Sequence, residues 1–331
     1  MLQYVWCVTY NSILYTDCCY PVYTIYSEDV DQLELLVLEF VRAGQRLTDL
    51  LAVQEFCIAF AKLSQDEVYL GILSKNKQFY PILTQLIKLI HTYMFNSIIQ
   101  ESCCVAICRF ALKMEAGELS PLCDDIATFL YGLMDYPTKA FAYDCILAMH
   151  SGGKSHSMPN LMMKTNTHSH AHSSNRNELK IGYTNTLVAG LSTMTAFTER
   201  GVVCHNELLT KGHYLNSLVS IALKNMSHPW IPRLCCATLA TYSYDVSTFV
   251  ILSDKSVLSE LFELSKSEDI IIRELIATVL CNISNNTEAC LSMTENGVME
   301  ILTLLSGATN ELLQELCARC ICNLACCDSQ H

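Results

Sequence analysis

One segment of this 331-residue chain returns at a fixed distance. Arg273 to Ser284, RELIATVLCNIS, aligns without gaps on Gln314 to Ala325, QELCARCICNLA, so that Asn282 and Asn323 stand 41 residues apart. A further step of 41 back reaches Thr241, inside RLCCATLATYS. Repetition at such a period confines a chain to stacked units that bury their apolar faces against their neighbours. Taking Asn282 as the marker, the residue before it is Ala240, Cys281 or Cys322, and two before it stands Leu239, Leu280 or Ile321. Five before the marker are Cys236, Ala277 and Ala318, and one after it Tyr242, Ile283 and Leu324. The same order surrounds Lys62 and Arg109. Arg109 and Thr241 lie 132 residues apart, three steps of 44, which predicts two intervening units ending near Met149 and Ala196. Small residues let helix axes approach, and large ones fill the groove between them.

A second apolar helix is expected ahead of each late marker, VLSELFELS from Val257 and VMEILTLLS from Val298. Gly297 precedes the latter and Gly212 holds a similar place before HYLNSLVSIAL, where glycine suits a sharp turn between helices. One unit therefore reads as a short helix, a turn and two longer packed helices. The run from Asn282 to Cys327, with its Asn-Leu-Ala ending, polar restart and Gly before an apolar helix, resembles an armadillo repeat. The resemblance is strong from Leu208 onward, moderate from Asp31 to Leu112 and weak between. HEAT repeats are the nearest rival; tetratricopeptide and ankyrin units have shorter periods, about 34 and 33 residues. The resemblance implies an all-α fold, an armadillo-type right-handed superhelix of six to seven units in two blocks. The expected organisation is a Tyr- and Cys-rich tail over 1–27, repeat blocks over 28–149 and 179–331, and a flexible Ser- and His-rich insertion over 150–178.

Composition agrees with an array that is mostly core. Hydrophobic residues make up 51% of the chain and charged residues only 16%. With 21 Lys and Arg against 33 Asp and Glu, the net charge of −12 repels phosphate backbones, which argues against nucleic acid as a partner. Nineteen cysteines, an odd number falling mostly in apolar helical patterns, read as buried thiols in a reducing compartment, hence a cytoplasmic protein. The N-terminal stretch to Tyr26 carries one charge, Asp17, but its Tyr, Thr, Asn and Cys make a poor membrane span, so none is expected.

The insertion contains Gly152-Gly153-Lys154-Ser155, the ending of a phosphate-binding loop. Such a loop needs a glycine five residues before Gly153, and Ala148 stands there; it must also join a strand to a helix, and a helical pattern precedes it. His168, His170 and His172 alternate as weak candidate metal ligands, but a polar tract supplies no second shell to hold them. The cluster Cys317, Cys320, Cys322, Cys326 and Cys327 reads as core packing rather than a zinc site. No Gly-x-Ser-x-Gly elbow, His-Glu-x-x-His or comparable constellation is present, so neither catalysis nor a cofactor is expected.

In armadillo proteins the marker Asn faces a concave groove and hydrogen-bonds the backbone of a bound peptide. The resemblance carries that role to Asn282 and Asn323, while Thr241, Arg109 and Lys62 replace it elsewhere. Residues four and eight before the marker share its face, adding Arg319, Glu315, Thr278, Glu274 and Arg233 to the expected partner groove. The implied function is a protein-interaction scaffold holding an extended segment of a protein or peptide partner, with larger assembly through the last repeat. The alternative is a transport adaptor of the karyopherin kind. Nuclear-import adaptors place Trp four residues before the Asn, where this chain has Thr278 and Arg319, and this departure disfavours that alternative.

Overall fold

A computed structural model describes residues 42–44, 46–75, 79–93, 96–134, 171–202 and 213–328. Every regular element among them is helical. The helices are α1 (Leu50–Leu63), α2 (Glu67–Lys75), α3 (Phe79–Thr92), α4 (Ser97–Ala111), α5 (Ala116–Met134), α6 (Ala171–Glu199), α7 (His213–Lys224) and α8 (Ile231–Tyr242). After a 3-10 turn at Val246–Thr248 follow α9 (Phe249–Leu252), α10 (Lys255–Ser265), α11 (Ile270–Ile283), α12 (Thr287–Glu295), α13 (Val298–Ser306) and α14 (Glu311–Asp328). The markers stand near the ends of α1, α4, α8, α11 and α14, the third helices of their units.

The chain divides into two compact units, the first ending at Ile126 and taking back Ser192–Val203. These divisions fall inside α5 and α6, not at residues 149 and 179 where the two blocks were expected to part. In the first unit α1 packs on α4 and α3 on α4; in the second, α8, α11 and α14 pack in succession, backed by α7, α10 and α13. The core of each unit is built by the recurring apolar positions. Cys57, Phe60, Cys104, Ile107 and Phe110 are buried in the first, and Cys236, Leu239, Tyr242, Ala277, Leu280 and Ile283 in the second.

Each unit is bounded by polar signals at fixed register. Thirteen residues before the markers stand Asp49, Asn96, His228, Asp269 and Asn310, and each side chain accepts a backbone N–H of the third helix it precedes. Four residues after the marker, Asp66, Asp245 and Asn286 cap the next short helix in the same way. Such caps satisfy donors that the first turn leaves without intrahelical partners. Two residues after the marker, Ser64, Ser243 and Ser284 are buried and donate their hydroxyls to the carbonyls of Ala61, Ala240 and Cys281 at 2.6–2.8 Å. Gly297 makes the expected turn between α12 and α13 at φ 86°, a left-handed conformation that a side chain disfavours.

Three expectations need correction, and others fall outside the described residues. From Ala171 onward the chain is helical, so the flexible insertion does not extend over 171–178; residues 150–170 lie outside the described set. Once a buried segment such as Thr186 to Phe197 nucleates a helix, each added residue gains one hydrogen bond, and a polar stretch prolongs it. The same 29-residue helix replaces the short unit expected to end near Ala196, since the capping register falls on Tyr183, well inside α6. Met149, Gly212 and the 1–27 tail lie outside the described residues. Finally, Cys322 does not pack in a core: it and Cys326 are exposed, while Cys317 and Cys320 are buried. Ala318, Ile321 and Cys322 occupy the register of Ala277, Leu280 and Cys281, which α14 covers on α11, and no described helix covers them in turn.

Leu280 is completely buried at the large core position of α11. Leu280→Ala is expected to destabilise by about 2–5 kcal/mol, measured by chemical denaturation, with the loss concentrated in neighbouring repeats.

Candidate partner-binding face of the third helices

Along an α-helix, residues 4, 7 and 11 before a marker fall within roughly 40° of its direction. In every marker helix these positions and the marker itself remain accessible, while the residues 2 and 5 before the marker are buried in α1, α4, α8 and α11. The expected groove residues lie on or beside this face. Arg109 and Arg319 are exposed, and Thr241, Thr278, Asn282 and Asn323 are half-buried.

The structure shows a use for these side chains that the sequence did not: they join consecutive repeats. Asn282 Nδ2 donates to Ser243 Oγ at 2.8 Å, and Asn323 Nδ2 donates to Ser284 Oγ at 3.0 Å. Each marker amide thus binds the serine two residues past the preceding marker. Asn323 Nδ2 also lies 3.2 Å from Asn285 Oδ1. The Oδ1 atoms of Asn282 and Asn323 accept no hydrogen bond among the described residues.

A second tie joins the other ends of the same helices, where the capping residue of one unit meets the residue eight before the preceding marker. Asn96 Nδ2 approaches Gln54 Oε1 at 3.4 Å, Arg233 Nε donates to Asp269 Oδ2 at 2.5 Å, and Asn310 Nδ2 donates to Glu274 Oε1 at 2.9 Å. Glu315, with no following unit among the described residues, takes Arg319 of its own helix at 2.9 Å. Thr241 and Thr278 donate to the carbonyls of Ala237 and Glu274 four residues earlier. Counting Ser, Asp and Asn at fixed offsets from the marker, as was done for the apolar residues, would have revealed both ties.

Among the described residues no three His, Cys, Asp or Glu side chains converge as a metal site. His168 and His170 lie outside the described residues, and His172 falls in the first turn of α6. Burial pushes the thiols of Cys236 and Cys320 up to about 12, and Cys104 and Cys235 rise by the same cause. An open depression of about 560 Å³ at the start of α11 is lined by Ile270, Arg273, Gly307, Ala308, Thr309 and Asn310.

Solved structures share this fold. A designed armadillo repeat protein is similar over 86% of this chain and 98% of its own, with TM-score 0.56 and 15% identity. An engineered protein of a structural genomics consortium matches over 88% and 97%, at TM-score 0.53 and 15% identity. The fold is armadillo-like. A further designed armadillo repeat protein, solved in complex with the peptide (KR)4, matches over 86% and 98% at TM-score 0.55 and 14% identity. No family model and no curated protein matches the chain. In this armadillo-like array no single described helix is long and apolar enough to cross a membrane.

The Asn–Ser tie predicts coupling. Asn282→Ala is expected to cost about 0.5–1.5 kcal/mol, and a double-mutant cycle with Ser243→Ala should return an interaction energy of about 0.5 kcal/mol or more. The raised thiols predict a pH dependence. The unfolded chain ionises its cysteines as pH climbs past their ordinary value of 9.0, whereas buried Cys236 and Cys320 hold their protons until about 12. Their contribution is complete below pH 9.0 and is lost between there and about 12. Thermal midpoints should therefore fall across that window, and fall less steeply in a Cys236→Ala, Cys320→Ala variant.

Proposed function

We propose that this chain is a non-catalytic scaffold that holds an extended segment of a partner protein along the marker faces of its third helices. One observation carries the reading: in each marker helix the flanks are used for packing and inter-repeat ties, yet one face stays accessible at the same register. A face kept open in successive units suits a partner that is itself extended and repeats its contacts from unit to unit. The peptide-bound designed armadillo protein supports this, because its fold matches this chain over most of its length. The marker amides fit the role as well, since each is held by its Nδ2 and offers Oδ1 to a backbone N–H of the segment.

The same reading puts the chain in the reducing cytoplasm, supported by the many cysteines buried in helical cores among the described residues. A transport role in the manner of nuclear-import adaptors is disfavoured by Thr278 and Arg319, which stand where a Trp would be needed.

Fluorescence anisotropy of labelled synthetic peptides against the full chain tests the reading, with an extended Lys/Arg octapeptide as the first probe. Saturable binding is expected, weakened at least fivefold per folded molecule by Asn282→Ala with Asn323→Ala. Arg319→Glu should strengthen the binding of basic probes. If binding per folded molecule is unchanged in the double variant, the amides are joints between repeats and the face is not a peptide groove.

A further inference from the structure

The residue eleven before each marker carries a pattern that the groove reading does not use. In all five marker helices it is a large apolar side chain, and in all five it is exposed: Leu51 64%, Ile98 43%, Trp230 56%, Ile271 41% and Leu312 51%. Scattered surface hydrophobes are ordinary, but the same register filled five times is not scatter. Eleven residues are about three helical turns, so this position lies within roughly 20° of the marker direction and about 16 Å away along the axis. In α8, α11 and α14 the next turn adds half-buried Leu234, Leu275 and Leu316 on the same side. The accessible face of α11 and α14 is thereby divided lengthwise, apolar over the first turns and polar from Thr278 and Arg319 to the markers.

We propose that these first turns form an apolar lane that anchors bulky side chains of the bound segment, which makes the partner an extended peptide with a large apolar residue at every second or third position. The inference rests on the groove reading and specifies its occupant. Packed helix axes lie about 8–10 Å apart, and an extended strand advances about 3.3 Å per residue, so successive lane residues match side chains two or three positions apart. Trp230, Ile271 and Leu312 supply one anchor per helix. The rim sets the charge of the segment: Glu268 and Glu311 are accessible acids beside the lane, while Arg233 lies 5.8 Å over Trp230 and is neutralised by Asp269. Basic residues between the apolar anchors complete the fit.

Trp230 is one of two tryptophans, so Trp6→Phe leaves it as the reporter in the full-length chain. Three synthetic dodecapeptides are the probes: one with Leu at every third position in a Lys/Ser background, one with Leu at every second position, and one with each Leu replaced by Ser. At least one Leu peptide should bind ten times more tightly than the Ser peptide and shift Trp230 emission to the blue. Ile271→Ser with Leu312→Ser should remove that tenfold preference while the melting temperature holds; Ile271→Thr alone, milder still, should lower it measurably. If Leu and Ser peptides bind equally and the lane variant changes nothing, while the Asn282→Ala, Asn323→Ala variant loses binding, the lane is wrong and the groove stands. If no peptide binds, including the Lys/Arg octapeptide, both readings fall. A blue shift with phosphatidylserine vesicles and none with peptides overturns the lane in favour of a membrane contact.

Discussion

The close approach of one third helix to the next is the constraint on which the rest of this structure depends. It requires a small residue five before the marker, supplied as Cys57, Cys104, Cys236 and Ala277, all buried. It also requires a large one two before the marker, supplied as Phe60, Ile107, Leu239 and Leu280. A buried thiol serves here as a compact, polarisable hydrophobe, and burial in turn raises its pKa and keeps it inert. The abundance of cysteine is therefore a packing solution. Where helices meet this closely, polar groups at the edge of the contact are brought within hydrogen-bonding range, and both inter-repeat ties follow from that.

Those ties give each seam direction as well as strength. Apolar packing alone tolerates sliding of one helix along another, because dispersion and burial are not directional. A hydrogen bond at each end of the seam, Asn282 to Ser243 at the marker end and Arg233 to Asp269 at the capping end, fixes the register of α11 on α8. Asn323 to Ser284 and Asn310 to Glu274 repeat the arrangement for α14 on α11. The first helices are joined too, with Ser292 Oγ and Asn296 Nδ2 both donating to the carbonyl of Ser253. Fixed register is what places Trp230, Ile271 and Leu312 at equivalent positions on successive helices, so the regularity of the accessible face is a consequence of the ties behind it.

The repeat was legible because its signal is redundant. Small and large residues must alternate in every unit, and a shift by one residue would misplace all of them. The short helix, the Gly297 turn and the burial of Leu280 and Tyr242 follow from the same alignment. The polar half of the grammar was present in the sequence, but its use in joining repeats was not read from it. Arg233 and Glu274 were assigned to a partner because they stand eight residues before a marker, on its side of the helix. Their partners, Asp269 and Asn310, lie 36 residues on, a distance at which only the folded register brings them together. The long helix α6 was not legible at all. Its first turns, AHSSNRNELK, carry no apolar period, and their helicity is propagated from the buried segment that follows.

A face whose polar groups are already tied has a particular consequence for recognition. Side chains held by a neighbour lose little further freedom when a ligand arrives, so the ordering cost that weakens many peptide complexes is reduced. The marker amides illustrate this: with Nδ2 fixed by a serine of the preceding repeat, the carbonyl oxygen is aimed before any partner binds. Arg233 is fixed in the same way, by Asp269 on one side and the face of Trp230 on the other. Pre-organisation of this kind favours orientation of a segment's backbone, and it leaves discrimination among segments to the groups that are not tied. On the second unit those groups are the exposed apolar side chains at the first turns of the third helices and the acids beside them. On the proposed reading, orientation falls to the marker amides and discrimination to the exposed apolar side chains, so a substitution at Ile271 or Leu312 changes which segment is held without touching the hydrogen bonds that join the repeats.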